Sequence, residues 1–315
     1  MKRLFFKLAV IFAGVLIGFE IIFGCFFPKL VYGIKDSYLI RWHEFYTERS
    51  DAELVCLGSS RIMRHCNPEI ISGITHLKTE LIAVPSAKID FFERLYEDYL
   101  KRNQRPKVLI VSIDPTMLDS VSVTPYPEYF YPFIGRADEV SKVKEYDLIK
   151  YNKALGYFYF KDVYLDMKQN PDLQMHVHGF LPQTKDTWDN KLELFMGRYP
   201  HGFTLNIYHP ELEEVFKLMA AEEKAGVKCI GLISPEYQEA WKYENNRAWV
   251  FQQINALAEA NHATVLNFDD SAYSPCFKKA LFYNSQHLNE SGAAIFSKDL
   301  ADSLLRYCQT GVKNQ

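Results

Sequence analysis

Residues 53–61 read Glu-Leu-Val-Cys-Leu-Gly-Ser-Ser-Arg, an apolar run that stops at a Gly-Ser-Ser turn. An uninterrupted run of this length suits a strand covered on both faces, as in a parallel sheet; a half-exposed strand alternates polar and apolar residues instead. Four similar runs follow: ELIAVPSA at 80–87, KVLIVSIDP at 107–115, KCIGLIS at 228–234 and TVLNFDD at 264–270. Helical patterns lie between them. Residues 91–103 (FFERLYEDYLKRN) space their apolar side chains for one helix face and end in basic residues. Residues 210–226 open on Pro and acids and stop at Gly226, as a helix does. Further helices are expected over 245–261 and 290–307. Strands alternating with helices predict a doubly wound α/β domain with a parallel sheet of about five strands.

The 315 residues suffice for one large α/β domain or two small ones. With 48% hydrophobic and 24% charged residues the chain has a globular balance, which excludes a disordered chain, a collagen-like repeat and a multi-span transporter. The 36 Lys and Arg against 39 Asp and Glu give a formal charge of -3. Nucleic-acid binders displace counterions with surplus positive charge, and this chain has no surplus.

Residues 4–28 are apolar apart from Lys7 and Glu20. About 20 such residues cross a bilayer core as a helix. Lys2, Arg3 and Lys7 flank the N-terminal side, which places that end in the cytoplasm and sends the remainder outward. The alternative is a cleaved signal peptide with its apolar region at 8–19, but no small-x-small site follows and the apolar character continues to Phe27. Ile22-Phe23-Gly24-Cys25 faintly resembles a lipoprotein cleavage box, which Phe23 fits poorly. An ionised Glu20 at mid-membrane costs about 2.5–3.5 kcal/mol, so it either reaches the outer interface or pairs with another membrane protein. The expected organisation is a retained single-pass anchor at 1–28, a juxtamembrane linker at 29–52 and an extracytoplasmic α/β domain at 53–315.

Between 116 and 208 the strand–helix alternation stops. PYPEYFYPF (125–133) and YNKALGYFYFKDVYLDM (151–167) make the segment too aromatic for disorder. It is expected as an inserted cap over the C-terminal edge of the sheet, its aromatics either packed as core or exposed to stack on sugars or a partner. Five of the six cysteines lie beyond the anchor, an odd number. Cys56 and Cys229 fall in strand patterns and read as small buried residues. One disulfide involving Cys66, Cys276 or Cys308 is open.

Sites in open parallel sheets form outside the carboxyl ends of the strands. Gly58-Ser59-Ser60-Arg61 falls there, and so does FYNSQHLNESGAAIFSKDL at 282–300, ahead of the last helix. A serine hydroxyl becomes a nucleophile when a histidine held by a third group removes its proton. Each block also has a plain structural use: the serines can cap a helix, and so can Asn289-Glu290-Ser291. His176-Val177-His178 lacks a companion for metal binding, so no metal is expected. No phosphate-loop or dinucleotide fingerprint occurs, so no cofactor is expected either.

The strand-Gly-Ser-Ser block, together with Asn284-x-x-His287-Leu-Asn-x-x-Gly-Ala before a terminal helix, resembles the SGNH/GDSL hydrolase superfamily. The likeness is greatest to its membrane-anchored, extracytoplasmic branch, which includes the teichoic-acid D-alanine transfer protein and alginate O-acetylation proteins. It spans about 53–306 without the insertion. The resemblance implies Ser60 as nucleophile and His287 as base. It implies an acyl-ester hydrolase or O-acyl (acetyl) transferase acting on a cell-envelope polysaccharide, working beside a membrane-bound O-acyltransferase.

Three positions depart from the pattern. Asn284 stands where the family has Asp; an amide holds the imidazole but does not stabilise imidazolium by charge, a loss on the order of 10⁴ in the protease analogue. Asp269 or Asp270 can supply that acid instead. The oxyanion glycine falls near Ser86-Ala87, which offer only backbone N–H groups. The oxyanion asparagine is replaced by Asp114, a poor donor unless protonated. The oxyanion hole then rests on backbone N–H groups of Ser60 and around Ser86, with Arg61 either contributing or forming a salt bridge. Asn284 and Asp114 also admit a second function, a non-catalytic SGNH-fold scaffold that binds glycan or the acyltransferase.

Overall fold

A computed structural model describes residues 2–115, 118, 126–134, 136–137, 139–142, 153–172, 176–182, 188–207 and 209–310. The other residues expected in the insertion at 116–208, among them 125, 151 and 152 of the aromatic stretches, lie outside the described residues. In chain order the elements are α1 (Lys2–Tyr32), α2 (Ser37–Thr47), β1 (Leu54–Gly58), α3 (Ser60–His65), α4 (Pro68–Thr75), β2 (Thr79–Ala83), α5 (Ile89–Leu100) and β3 (Val108–Ser112). There follow α6 (Pro127–Phe130), α7 (Lys153–Gln169), α8 (Lys191–Arg198), α9 (His209–Lys224), β4 (Lys228–Ile233), α10 (Arg247–Ala260) and β5 (Thr264–Asn267). The strands β6 (Phe282–Asn284) and β7 (His287–Leu288) precede α11 (Glu290–Thr310).

All five apolar runs become strands of one parallel sheet, ordered β2-β1-β3-β4-β5. Leu54 pairs with Thr79 on one side and Val108 on the other, which makes β1 an interior strand. Its Leu54, Val55, Cys56 and Leu57 are wholly buried, which explains the unbroken apolar run. Each buried aliphatic side chain there is worth about 1.5–3 kcal/mol. Because every strand runs the same way, the segments after β1, β2, β3 and β4 emerge at one edge. Gly58 ends β1 because a Cβ would lie 2.4 Å from Ile62 Cγ1 and 2.7 Å from Ser112 Cβ. That close approach lets α3 start immediately under the strand end.

Two compact units divide the chain: residues 50–125 with 176–315, which hold the sheet, and residues 1–49 with 126–175. In the second of these, Asp36 caps α2 by accepting from the N–H groups of Tyr38 and Leu39. Trp42, Phe45 and Tyr46 are buried along α2. Residues 29–52, expected as a linker, therefore contain the last turn of α1 and a packed amphipathic helix. Trp42 meets Phe130 at 4.6 Å between ring centroids, Tyr46 stacks on Phe133 at 5.4 Å, and Phe27 meets Tyr164 at 5.5 Å. Phe130, Tyr131, Phe133, Phe160 and Tyr164 are thus part of the core of this unit, although Tyr126, Phe158 and Tyr159 stay exposed. Within α1, residues 2–23 are long and apolar enough to cross a membrane, a test that a signal sequence also passes.

Cys56, Cys66, Cys229, Cys276 and Cys308 are free thiols. Cys56 and Cys229 are wholly buried in their strands, and Cys276 is wholly buried with its thiol turned to the Phe268 carbonyl at 3.2 Å. The disulfide considered for Cys66, Cys276 or Cys308 is not formed.

Candidate active site

Ser59 caps α3 and is buried, which leaves Ser60 as the first helical residue, partly exposed at the sheet edge. More than two hundred residues later, β6 and β7 form a small antiparallel pair with Phe282 opposite Leu288 and Asn284 opposite His287. Hydrogen bonds join this pair and the following helix to α3 and fix the turn between them. The Leu288 N–H donates to His65 Nε2 at 3.1 Å, and His65 is fully buried. Ser297 Oγ donates to the His65 carbonyl at 3.0 Å and accepts from the Asn67 N–H at 2.7 Å. Asn289 caps α11 through the Gly292 N–H at 3.0 Å while its amide nitrogen donates to the Ala280 carbonyl at 2.8 Å. The helix cap expected of Asn289 is therefore present. The outcome is a Ser60 Oγ to His287 Nε2 distance of 2.9 Å.

The imidazole tautomer follows from its neighbours. Asn284 Oδ1 accepts from the N–H groups of Gln286 at 3.0 Å and His287 at 2.9 Å, while Asn284 Nδ2 donates to Asp189 Oδ2 at 3.1 Å. Donors on one side and a carboxylate on the other leave the amide one sensible orientation. Asn284 Oδ1 is then the acceptor for His287 Nδ1–H at 3.1 Å. With the proton on Nδ1, Nε2 offers a lone pair to the serine hydroxyl. Burial foremost, and then the charges of Arg61, Arg64 and Lys191, lower the His287 pKa to about 3, against a smaller upward pull from Asp189. The imidazole is therefore neutral, the form a general base requires.

Of the oxyanion candidates, Ser86 sits in a left-handed conformation with φ 60° after Pro85. The Ala87 N–H closes that turn onto the Val84 carbonyl at 3.1 Å and is committed there. Among the described residues, the N–H groups of Ser60 and Ser86 donate to no backbone carbonyl. Ser60 lacks such a partner because it opens its helix.

Asp114 is wholly buried and looks elsewhere. It accepts from Ser112 Oγ at 2.6 Å and the Ser234 N–H at 2.7 Å, and faces Arg61 at 3.7 Å. Burial pushes its pKa up against the pull of Arg61 and both donors. Both oxygens act as acceptors, so Asp114 is not a donor to an oxyanion. Arg61 is buried between Asp114 and Glu236, the latter at 3.5 Å, and reaches the Ser234 carbonyl at 3.5 Å. The salt bridge read for Arg61 is present. Asp269 binds the Glu236 N–H at 3.0 Å, Trp241 Nε1 at 3.1 Å and Arg247 at 2.8 Å, and Asp270 is exposed and holds the Ala272 N–H at 2.7 Å. Neither aspartate is the acid behind the imidazole. Asp189 takes that direction, from a stretch of sequence with no motif to mark it.

Two clefts share Gln286 and His287. The smaller, of about 240 Å³, is lined by Ser60, Ser86, Ala87, Lys88 and His287 among others. The larger, of about 570 Å³, is walled by Leu192, Phe195, Tyr199, Phe203 and Tyr243, and Asn284 and Ser285 also line it. Phe195 packs against Tyr199 at 4.7 Å and edge-on to Phe203 at 5.1 Å, so the rings form one aromatic wall. These residues belong to the 116–208 stretch, and only their aromatic content marks them in the sequence. Among the described residues, no group of three or more His, Cys, Asp or Glu is placed to hold a metal ion. No protein-family model and no curated protein matches the chain.

Proposed function

We propose that the protein is a membrane-anchored, SGNH-like acyl-ester hydrolase or O-acyl (acetyl) transferase that works on a cell-envelope polysaccharide through an acyl-serine intermediate. The observation that carries this reading is the 2.9 Å contact between Ser60 Oγ and a neutral, Nδ1-protonated His287. The β2-β1-β3-β4-β5 order supports the doubly wound, SGNH-type reading of the fold, since it is the flavodoxin-like order with sites at the strand ends. The apolar α1 supports a retained single-pass anchor with the sheet-bearing unit outside the cytoplasm.

The chemistry proceeds in two halves. Ser60 Oγ attacks the acyl carbonyl as its proton passes to His287 Nε2. The N–H groups of Ser60 and Ser86 receive the oxyanion. Collapse breaks the bond to the alcohol oxygen, which takes the proton from His287 and leaves an acyl-Ser60 ester. Water or a glycan hydroxyl then gives its proton to His287 and attacks the ester; the bond to Ser60 Oγ breaks, that oxygen takes the proton back from His287, and the free acid or the acylated glycan departs. The alcohol must depart on the side of the imidazole that protonates it. The larger, aromatic-walled cleft is also lined by His287, which suits a sugar as the alcohol and a small acyl group beside Ser86. A membrane-bound O-acyltransferase is the natural donor partner.

The test is labelling of the full chain by a fluorophosphonate. Ser60 is expected to take the label and His287→Ala to lose it. Because the folded His287 pKa is depressed, the neutral base persists as the pH falls through about 6.5, where an ordinary histidine protonates. The labelling rate is therefore expected to stay level down to about pH 5 and to fall only nearer the lowered value. A decline centred near the ordinary histidine pKa contradicts that environment. The rival scaffold reading is favoured by Asn284 and by the engagement of Asp114 with Arg61; labelling that leaves Ser60 untouched selects it.

A further inference from the structure

The Ser60–His287 pair is continued by two more groups. Asn284 bridges the imidazole and a carboxylate, since its Oδ1 receives His287 Nδ1–H and its Nδ2 donates to Asp189. We propose that Asp189 is a positioning residue for His287, acting through the Asn284 amide so that a carboxylate displaced by one residue does the work of the family's missing aspartate. The proposal rests on the reading of Ser60 and His287 as nucleophile and base.

The electrostatics favour it. Partial burial raises the Asp189 pKa, but the Lys191 N–H, the Asn284 amide and the Lys191 ammonium outweigh it and hold the carboxyl below its ordinary value. Asp189 is thus anionic at neutral pH. The groups facing His287 are Arg61, Arg64 and His65 from α3, Lys191 from α8, and Asp189 just ahead of α8. Asp189 is the anion among them. When Ser60 gives its proton to Nε2, the imidazolium donates its Nδ1–H to Asn284 Oδ1. The amide, polarised by the carboxylate at its nitrogen, then carries more negative charge on that oxygen. No proton moves to Asp189. Its Oδ1 is held by the Lys191 N–H at 2.9 Å, which keeps Oδ2 turned to Asn284.

A charge swap separates this role from a purely structural one. Asp189→Asn keeps the size and an acceptor for the Lys191 N–H but removes the charge. It is expected to slow fluorophosphonate labelling of Ser60 about 10- to 100-fold, the range for loss of an outer-shell partner. Adding Asn284→Asp to the same chain restores a carboxylate beside the imidazole and is expected to recover most of that loss. The acid limb of the labelling profile then moves to higher pH, because an anion in direct contact raises the His287 pKa. A role confined to anchoring α8 gives no rescue and no shift of the limb. Labelling of Asp189→Asn at the wild-type rate, or a double variant no faster than the single one, overturns the proposal. If the wild-type Ser60 takes no label, the hydrolase reading fails by itself and the imidazole resonance decides the relay. An upfield move of the Nδ1–H proton in Asp189→Asn supports it, and an unmoved resonance overturns it.

Discussion

Replacing Ser60 with Ala is expected to reduce hydrolysis of a small acyl ester by the full chain on the order of 10⁴- to 10⁶-fold, with KM for the ester little changed. In the proposed mechanism this hydroxyl forms the covalent bond, and the neighbouring Ser59 is buried and spent on capping α3. His287→Ala is expected to cost as much, and the double variant little more than either, because the two act as one unit. Additive losses would mean that the 2.9 Å contact is not used in the chemistry. The measurement is kcat and KM for the four proteins with one chromogenic acetate.

The second large effect concerns stability. Arg61→Met is expected to lower the unfolding free energy by about 3–5 kcal/mol at neutral pH, the cost of leaving buried carboxylates without their cation. Asp114 and Glu236 both face the guanidinium, and both are buried. Burial already pushes Glu236 well above its ordinary range, against the opposing pull of Arg61. Without Arg61 the folded pKa values of both acids rise further above those of the unfolded chain. The folded state then binds more protons, so the deficit narrows as the pH falls and is largest at neutral pH. Urea unfolding at pH 5 and 7 checks both the size and the sign. Unchanged stability with lost labelling would instead return Arg61 to the oxyanion hole.

The sheet was legible because its strands are covered and therefore uniformly apolar: Leu54–Gly58 and Val108–Ser112 carry no fully exposed position. Four helices between or after strands also lie where their patterns and stops place them, within a few residues. Helix α2 was not read from the sequence, although the Asp36 cap and the Trp42, Phe45 and Tyr46 spacing mark it, because it sits where a membrane-proximal spacer was expected. The Ser60, His287 and Asn284 side chains were singled out by two short blocks, and the structure brings all three within hydrogen-bond distance.

Asp189 was not legible. Its meaning comes from the Asn284 amide, a contact across 95 positions that no local spacing encodes. Asp114 and Arg61 illustrate the same limit from the other side. Their place at the strand ends suggested the oxyanion hole, but that placement does not reveal that their charges face each other in a buried pair. The aromatic stretches were ambiguous for a related reason: composition does not say whether rings face one another, as Phe130 and Trp42 do, or a cleft, as Phe195 and Phe203 do.

The most direct measurement is the mass of the Ser60-bearing peptide after the full chain is mixed with an activated acyl ester and quenched in acid. A covalent acyl group on Ser60 in the wild type, accumulating when the acceptor is withheld and missing from His287→Ala, is the predicted result. Turnover of the ester with the acyl group on another residue, or with Ser60 unmodified at every time sampled, contradicts the account.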